Sequence, residues 1–154
     1  MTTSAGILLW RRRDGGPEVL LGHMGGPFWA RKDDGGWSLP KGELGPGEEP
    51  QAAARREFEE ELGAPVPAGE LVPLGELRVT RGKVLAVWAV EGDLDAAACR
   101  SSTFDLEWPP RSGRVQSFPE IDRAAWFGVE PARAKLVRGQ VPFLDRLVEL
   151  LLLS

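Results

Sequence analysis

Two short apolar runs open the chain, Ser4–Arg11 and Glu18–His23, separated by Arg13-Asp14-Gly15-Gly16-Pro17. Runs of that length bounded by turn-forming residues predict two strands joined by a hairpin. A second pair, Glu70–Thr80 and Lys83–Glu91, has Arg81-Gly82 at its turn and predicts another hairpin. Between the pairs the pattern changes. From Pro50 to Leu62 nearly every residue is a good helix former, Pro50 suits the first helical position and Gly63 suits the stop. Gly25–Gly36 reads as a polar loop carrying Phe28, Trp29, Arg31 and Lys32, and Trp37–Glu48 as a short strand entering a turn-rich loop. Further on, Phe104–Trp108 predicts a short strand, Pro109–Phe118 a loop and Ala124–Phe127 a last strand, followed by helices at about Pro131–Val137 and Val141–Leu153. This order predicts an α/β fold, with helices on both sides of a mixed sheet.

The Pro50–Leu62 helix is unusual in its charge. At about 100° per residue, Glu57, Glu60 and Glu61 share one narrow stripe, while Ala54, Phe58 and Leu62 form the neighbouring apolar stripe. Each like-charged pair costs the helix roughly 0.2–0.5 kcal/mol. A bound divalent cation offsets that repulsion directly, whereas a merely solvated face leaves the glycine-rich loop ahead of the helix unexplained. Carboxylates alone favour a hard ion such as Mg²⁺ or Mn²⁺. The lone His23 and lone Cys99 are too few for an ordinary zinc site.

The spacing is more specific than the stripe. Gly42 is followed after five residues by Glu48, and Glu48 after seven by Arg56-Glu57-Phe58-Glu59-Glu60-Glu61-Leu62-Gly63-Ala64. This pattern resembles the Nudix box, and the chain is similar to Nudix hydrolases, which cleave a pyrophosphate within a nucleoside diphosphate linked to another group. The resemblance implies an α/β/α sandwich around a central mixed sheet. It implies Glu57, Glu60 and Glu61 as metal ligands, one of them doubling as general base, with a backbone carbonyl at Lys41 or Gly42 joining them. It gives Arg56 and Glu48 supporting roles and expects a further acid before the last strand, Glu120 or Asp122, of which Glu120 is the choice here. Lys41 stands where many members have a second glycine, and Ala64 where a larger aliphatic is usual. Lys41 is either a phosphate contact or a solvated lysine.

Substrate choice lies outside the box. The proline that ADP-ribose pyrophosphatases often carry one strand later is missing, since no proline falls between Pro73 and Pro109. The tyrosine common there in diadenosine polyphosphate hydrolases is also missing, yet Trp37-Ser38-Leu39-Pro40-Lys41-Gly42 resembles their entry to the box. Nucleoside polyphosphates, as dinucleoside polyphosphates or nucleoside triphosphates, lead; a nucleotide-sugar pyrophosphatase and a non-catalytic nucleotide sensor are the alternatives. Trp37, Trp88 and Trp126 sit in apolar surroundings that predict core, whereas Trp29 and Trp108 are either nucleobase-stacking residues or buried loop anchors. Arg31 and Lys32, and Arg111 and Arg114 beyond Trp108, are either outer-phosphate contacts or solvated charge.

Length and charge narrow the partners. At 154 residues a single domain over 1–154 is the simplest expectation. A formal charge of −4 argues against nonspecific nucleic-acid binding. The one basic run, Arg11-Arg12-Arg13, runs into Asp14-Gly15-Gly16 and reads as solvated arginines at a turn. The single cysteine fits a reducing cytoplasm, and residues 6–10 are too short an apolar run for a signal peptide. Leu147–Leu153 is too short to span a membrane and reads as the end of a packed helix, with a homodimer contact open if part of it is exposed.

Overall fold

The computed structural model describes residues 2–153. Strand β1 (Thr2–Arg13) lies at the middle of a mixed sheet, because it is apolar on both faces. Ala5, Ile7 and Leu9 point to one side and pack with Ala53, Ala54, Phe58 and Leu62 of helix α1 (Pro50–Leu62). Leu8 and Trp10 point to the other, into a second core with Phe143, Leu144 and Leu147 of helix α3 (Val141–Leu152). The period-two alternation of one strand therefore sets three layers, α/β/α.

Strand β1 pairs antiparallel with β2 (Gly16–Met24) only near the hairpin, from Trp10↔Val19 to Arg13↔Gly16. Beyond that the two strands diverge, and the Trp37–Glu43 segment enters the fork. Its first part, β3 (Trp37–Ser38), pairs with β2; its second, β4 (Lys41–Glu43), pairs with β1. A segment expected to be one short strand and a loop is thus two strands on different partners, an arrangement set by long-range pairing. Strands β5 (Val72–Thr80) and β6 (Lys83–Glu91) form the expected hairpin, and β6 lies parallel to β1 from Thr2↔Lys83 to Trp10↔Glu91.

One expectation is corrected. The segment after Pro109 is not all loop: β7 (Thr103–Glu107) pairs antiparallel with β8 (Val115–Pro119) in a separate two-stranded sheet. Most of its side chains are exposed, so no buried alternation marks it in the sequence. Strand β9 (Ile121–Gly128) pairs along β2 and is longer than expected, and helix α2 (Val129–Lys135) begins two residues early, at the Gly128 cap.

At the arginine turn Arg12 and Arg13 are exposed as expected, and only Arg11 departs from that reading. Arg11 is half-buried, ion-paired with Glu18 at 2.9 Å and Asp93 at 2.8 Å, and stacked 4.0 Å over the Trp126 ring. Trp37 is buried as expected, and Trp126 donates its indole N–H to the Leu94 carbonyl. At the chain end Leu147 is fully buried, whereas Leu152 and Leu153 are exposed. Among the described residues no helix is long and apolar enough to cross a membrane.

Candidate active site

Helix α1 presents its apolar stripe to the sheet, and that contact fixes the direction of its glutamates. Pro50 begins it without a lost hydrogen bond, and Gly63 ends it in the left-handed conformation, φ 72°, with its N–H on the Glu59 carbonyl. Two further carbonyls of the last turn are met by a distant segment: Arg100 N–H donates to Leu62 O at 3.0 Å and Ser102 N–H to Glu60 O at 2.8 Å.

Glu57, Glu60 and Glu61 line one cleft of about 660 Å³ together with Gly42, Lys41 and Glu120. These six side chains and backbones are supplied by strand β4, helix α1 and the junction of β8 with β9. Gly42 leaves the space that the Glu57 carboxylate occupies. The Glu57 carboxylate lies directly against its backbone, and a Cβ at position 42 would fall inside that carboxylate. Gly42→Ala is expected to push Glu57 aside and lower kcat about tenfold, since small misplacements of catalytic groups are costly. Circular dichroism should show a folded protein, and a wild-type rate would show that Glu57 placement is immaterial.

Arg56 organises the carboxylates. Its Nε and Nη2 grip Glu48 in a bidentate pair, each at 2.9 Å, while Nη1 reaches Glu57 at 2.8 Å and Glu60 at 3.3 Å. Nη2 also donates to the Glu43 carbonyl at 3.1 Å, so the guanidinium is fully engaged within the protein. The bond from Arg56 and the N–H of Gly45 hold the Glu48 carboxyl down at about 2. Glu57 is raised by burial, against the pull of Arg56.

Glu61 differs from its neighbours. It has no ion-pair partner among the described residues and accepts one bond, 3.2 Å, from the Lys41 N–H. Burial pushes it up to about 8, with Glu57 and Glu120 adding repulsion. Part of the stripe's repulsion is thus offset by Arg56, and the uncompensated part falls on Glu61.

No three His, Cys, Asp or Glu side chains among the described residues already stand together at metal-ligand spacing. The reason is visible: Arg56 draws Glu57 and Glu60, while Glu61 turns to the Lys41 N–H. The donors nonetheless fit a hard divalent cation in kind, being oxygen only, anionic and facing one cleft.

Three of the expected substrate contacts, Trp29, Arg31 and Trp108, do not line this cleft. Asp122 is not part of it either; its carboxylate meets Nδ1 of the buried His23 at 2.9 Å. Lys83, Ser4 and Ser102 do line it and were not singled out from the sequence. Lys83 belongs to no motif. Only the parallel pairing of β6 with β1, which sets Lys83 beside Thr2, brings it there.

The family model described as NUDIX domain matches residues 2–147. The fold is similar to a Caenorhabditis elegans Ap4A hydrolase in a binary complex, at 21% identity and a TM-score of 0.69, covering 100% of each chain. It is similar to the NUDIX domain of Shewanella oneidensis NrtR complexed with ADP ribose, at 17% identity and TM-score 0.64, covering 97% of this chain and 87% of that one. A MutT protein from Methanosarcina mazei matches at 20% identity and TM-score 0.61, covering 96% and 93%. No curated protein matches the sequence. At these identities the solved structures speak for the fold, and the family model, spanning nearly the whole chain, places this protein in the Nudix family of pyrophosphohydrolases.

Proposed function

We propose that the cleft hydrolyses a pyrophosphate linkage in a nucleoside polyphosphate, either a dinucleoside polyphosphate or a nucleoside triphosphate. The observation that carries this reading is the convergence of Glu57, Glu60, Glu61 and Glu120 on one cleft that also presents Lys41 and Lys83. A polyphosphate is the substrate that needs both charges: cations to hold it, and carboxylates to hold the metal and direct water.

Nudix enzymes in general use divalent metal ions. Here Glu57, Glu60, Glu61 and the Gly42 carbonyl would hold Mg²⁺ or Mn²⁺, and such an ion, when bound, polarises phosphoryl oxygens and offsets their charge. Arg56 takes no direct part, since its donors are committed to Glu48, Glu57, Glu60 and the Glu43 carbonyl. It is the residue that orients the ligands. Glu120 forms no ion pair among the described residues and faces the same cleft. It positions a water for attack and takes its proton as the new P–O bond forms and the P–O bond to the leaving phosphate breaks. Lys41 and Lys83 bind outer phosphates. The likeness to a protein named as an Ap4A hydrolase supports the dinucleoside class, and the likeness to a domain complexed with ADP ribose keeps nucleotide sugars as the runner-up. The cytoplasm is the location that the lone, reduced Cys99 supports.

Phosphate release, coupled to a phosphatase or pyrophosphatase, across a nucleotide panel with Mg²⁺ and with Mn²⁺ tests the proposal. Turnover concentrated on nucleoside polyphosphates is expected. Turnover confined to nucleotide sugars would replace the substrate class, and nucleotide binding without turnover of any compound would make the protein a sensor.

A further inference from the structure

We propose that Phe28 and Trp108 form a stacking platform for a second nucleobase of the substrate, beyond the carboxylate cleft. This rests on the reading of the cleft as a nucleotide-hydrolysing site.

The sheet topology brings the two places to one margin. Strand β2 runs antiparallel to β1, β6 parallel to it, and β5 antiparallel to β6. Strands β1 and β6 therefore begin where β2 and β5 end. Ser4, Lys83 and Val79 put the cleft at that margin, and Met24 delivers the chain into the Phe28 loop there.

The hairpin β7–β8 grows out of the cleft. Ser102 and Glu120, just outside its two strands, both line the cleft. Their backbones are locked to the catalytic helix: Ser102 N–H donates to Glu60 O at 2.8 Å, and Glu120 N–H to Ser102 O at 2.9 Å. The Phe28 loop is docked on the same unit. Gly25 N–H donates to Glu120 O at 2.9 Å, and the Phe104 ring covers Gly26 while lying near Phe118, 6.0 Å between centroids. On this base Phe28 and Trp108 meet edge to face, with centroids 5.3 Å apart and planes at 78°. Phe28 is nevertheless 67% exposed. A large ring held by one aromatic neighbour and left two-thirds exposed contributes little to a core and suits a ligand with a face of its own.

Charge supports the same occupant. Arg31 and Lys32 follow Phe28, and Arg111 and Arg114 follow Trp108 around the hairpin turn. None of these four side chains has a carboxylate within 4.0 Å among the described residues. Cations without an ion pair in the two segments that carry these rings, Lys32 among them resting 5.4 Å over the Trp29 ring, complement phosphates that lead from the cleft to a base. Trp108 lies six positions past Ser102. At about 3.3 Å per strand residue the platform stands at most about 20 Å from the cleft, a span that several linked phosphates and a nucleoside cover.

The test compares a dinucleoside tetraphosphate with the mononucleoside tetraphosphate that lacks only the second nucleoside. Wild type should show the lower KM for the dinucleoside compound. Phe28→Ala, at an exposed position, should raise that KM about tenfold, in keeping with the loss of one stacked base. The loss should fall in KM rather than kcat, the difference between the two compounds should collapse, and Phe28→Trp should restore it. An unchanged KM, or an equal rise for both compounds, overturns the platform. Calorimetric titration of both compounds into Glu60→Gln reads the same preference without turnover. A wild-type protein that hydrolyses neither compound thus defeats the catalytic reading alone, while a titration without preference for the second nucleoside defeats the platform.

Discussion

Glu60→Gln and Glu61→Gln are each expected to lower kcat about a thousandfold, the scale on which directed proton transfer and charge stabilisation act. Glutamine keeps the length and shape of the side chain, so the apolar stripe of Ala54, Phe58 and Leu62 remains packed. What disappears is one negative charge and one anionic oxygen pair in the cleft. The two variants should differ in a second respect. Glu60 is tied to Arg56, so its loss removes an exposed ion pair of small energetic weight. Glu61 has no ion pair within 4.0 Å among the described residues, so its loss breaks none and removes a largely buried acid that is costly to ionise. Steady-state kinetics on the substrate chosen by the panel, with thermal melts of each variant, check both statements. A wild-type rate in either variant would remove that glutamate from the mechanism.

Stability of the chelator-treated protein is expected to fall as pH rises from about 4.5 to about 8, with Glu61 as the main cause. Its folded value lies near 8, against an unfolded value near 4.5. Between those limits the unfolded chain has released the proton and the folded chain still holds it. The folded state therefore binds more protons there, and each pH unit removes on the order of 1 kcal/mol of stability until the curve flattens above about pH 8. Glu61→Gln should abolish most of this slope, as glutamine does not titrate. Addition of Mg²⁺ should stabilise the wild type more at pH 8 than at pH 5, because the ion competes with the proton for the same oxygens. Denaturant titrations across this pH range, with and without chelator, measure it. A wild-type curve that is flat, or that rises with pH by the same amount in both proteins, would refute the assignment.

Much of the site was legible because the residues that build it are close in sequence. Gly42 to Gly63 carry a helix, its two caps and a loop, and local rules of periodicity and capping suffice to put Glu57, Glu60 and Glu61 on one stripe. Glu120 was reachable only through the resemblance, and Lys83 not at all, since its place depends on a parallel strand pair formed across most of the chain. The split of Trp37–Glu43 into β3 and β4 escaped for the same reason: its two halves answer to two different strands. Strand β7 was expected within one residue, but β8 and its pairing escaped because β8 is largely exposed, and the hydrophobic pattern reports only burial. Arg11 was misplaced because its partner Asp93 lies 82 residues away.

The closing of helix α1 by Arg100 and Ser102 bears on how the site comes into being. As the chain is synthesised, the glutamates are complete long before the segment that caps them, which follows Glu60 by 42 positions. Until then the last carbonyls of the helix can only be met by water, and its final turn is free to fray. A nascent chain stopped short of Ser102 carries the whole signature motif and lacks the residue whose backbone links the Glu60 carbonyl to the Glu120 N–H. The motif is thus completed by a later stretch of polypeptide, and substitutions around Arg100–Ser102, far from the box in sequence, act on the end of the box's own helix.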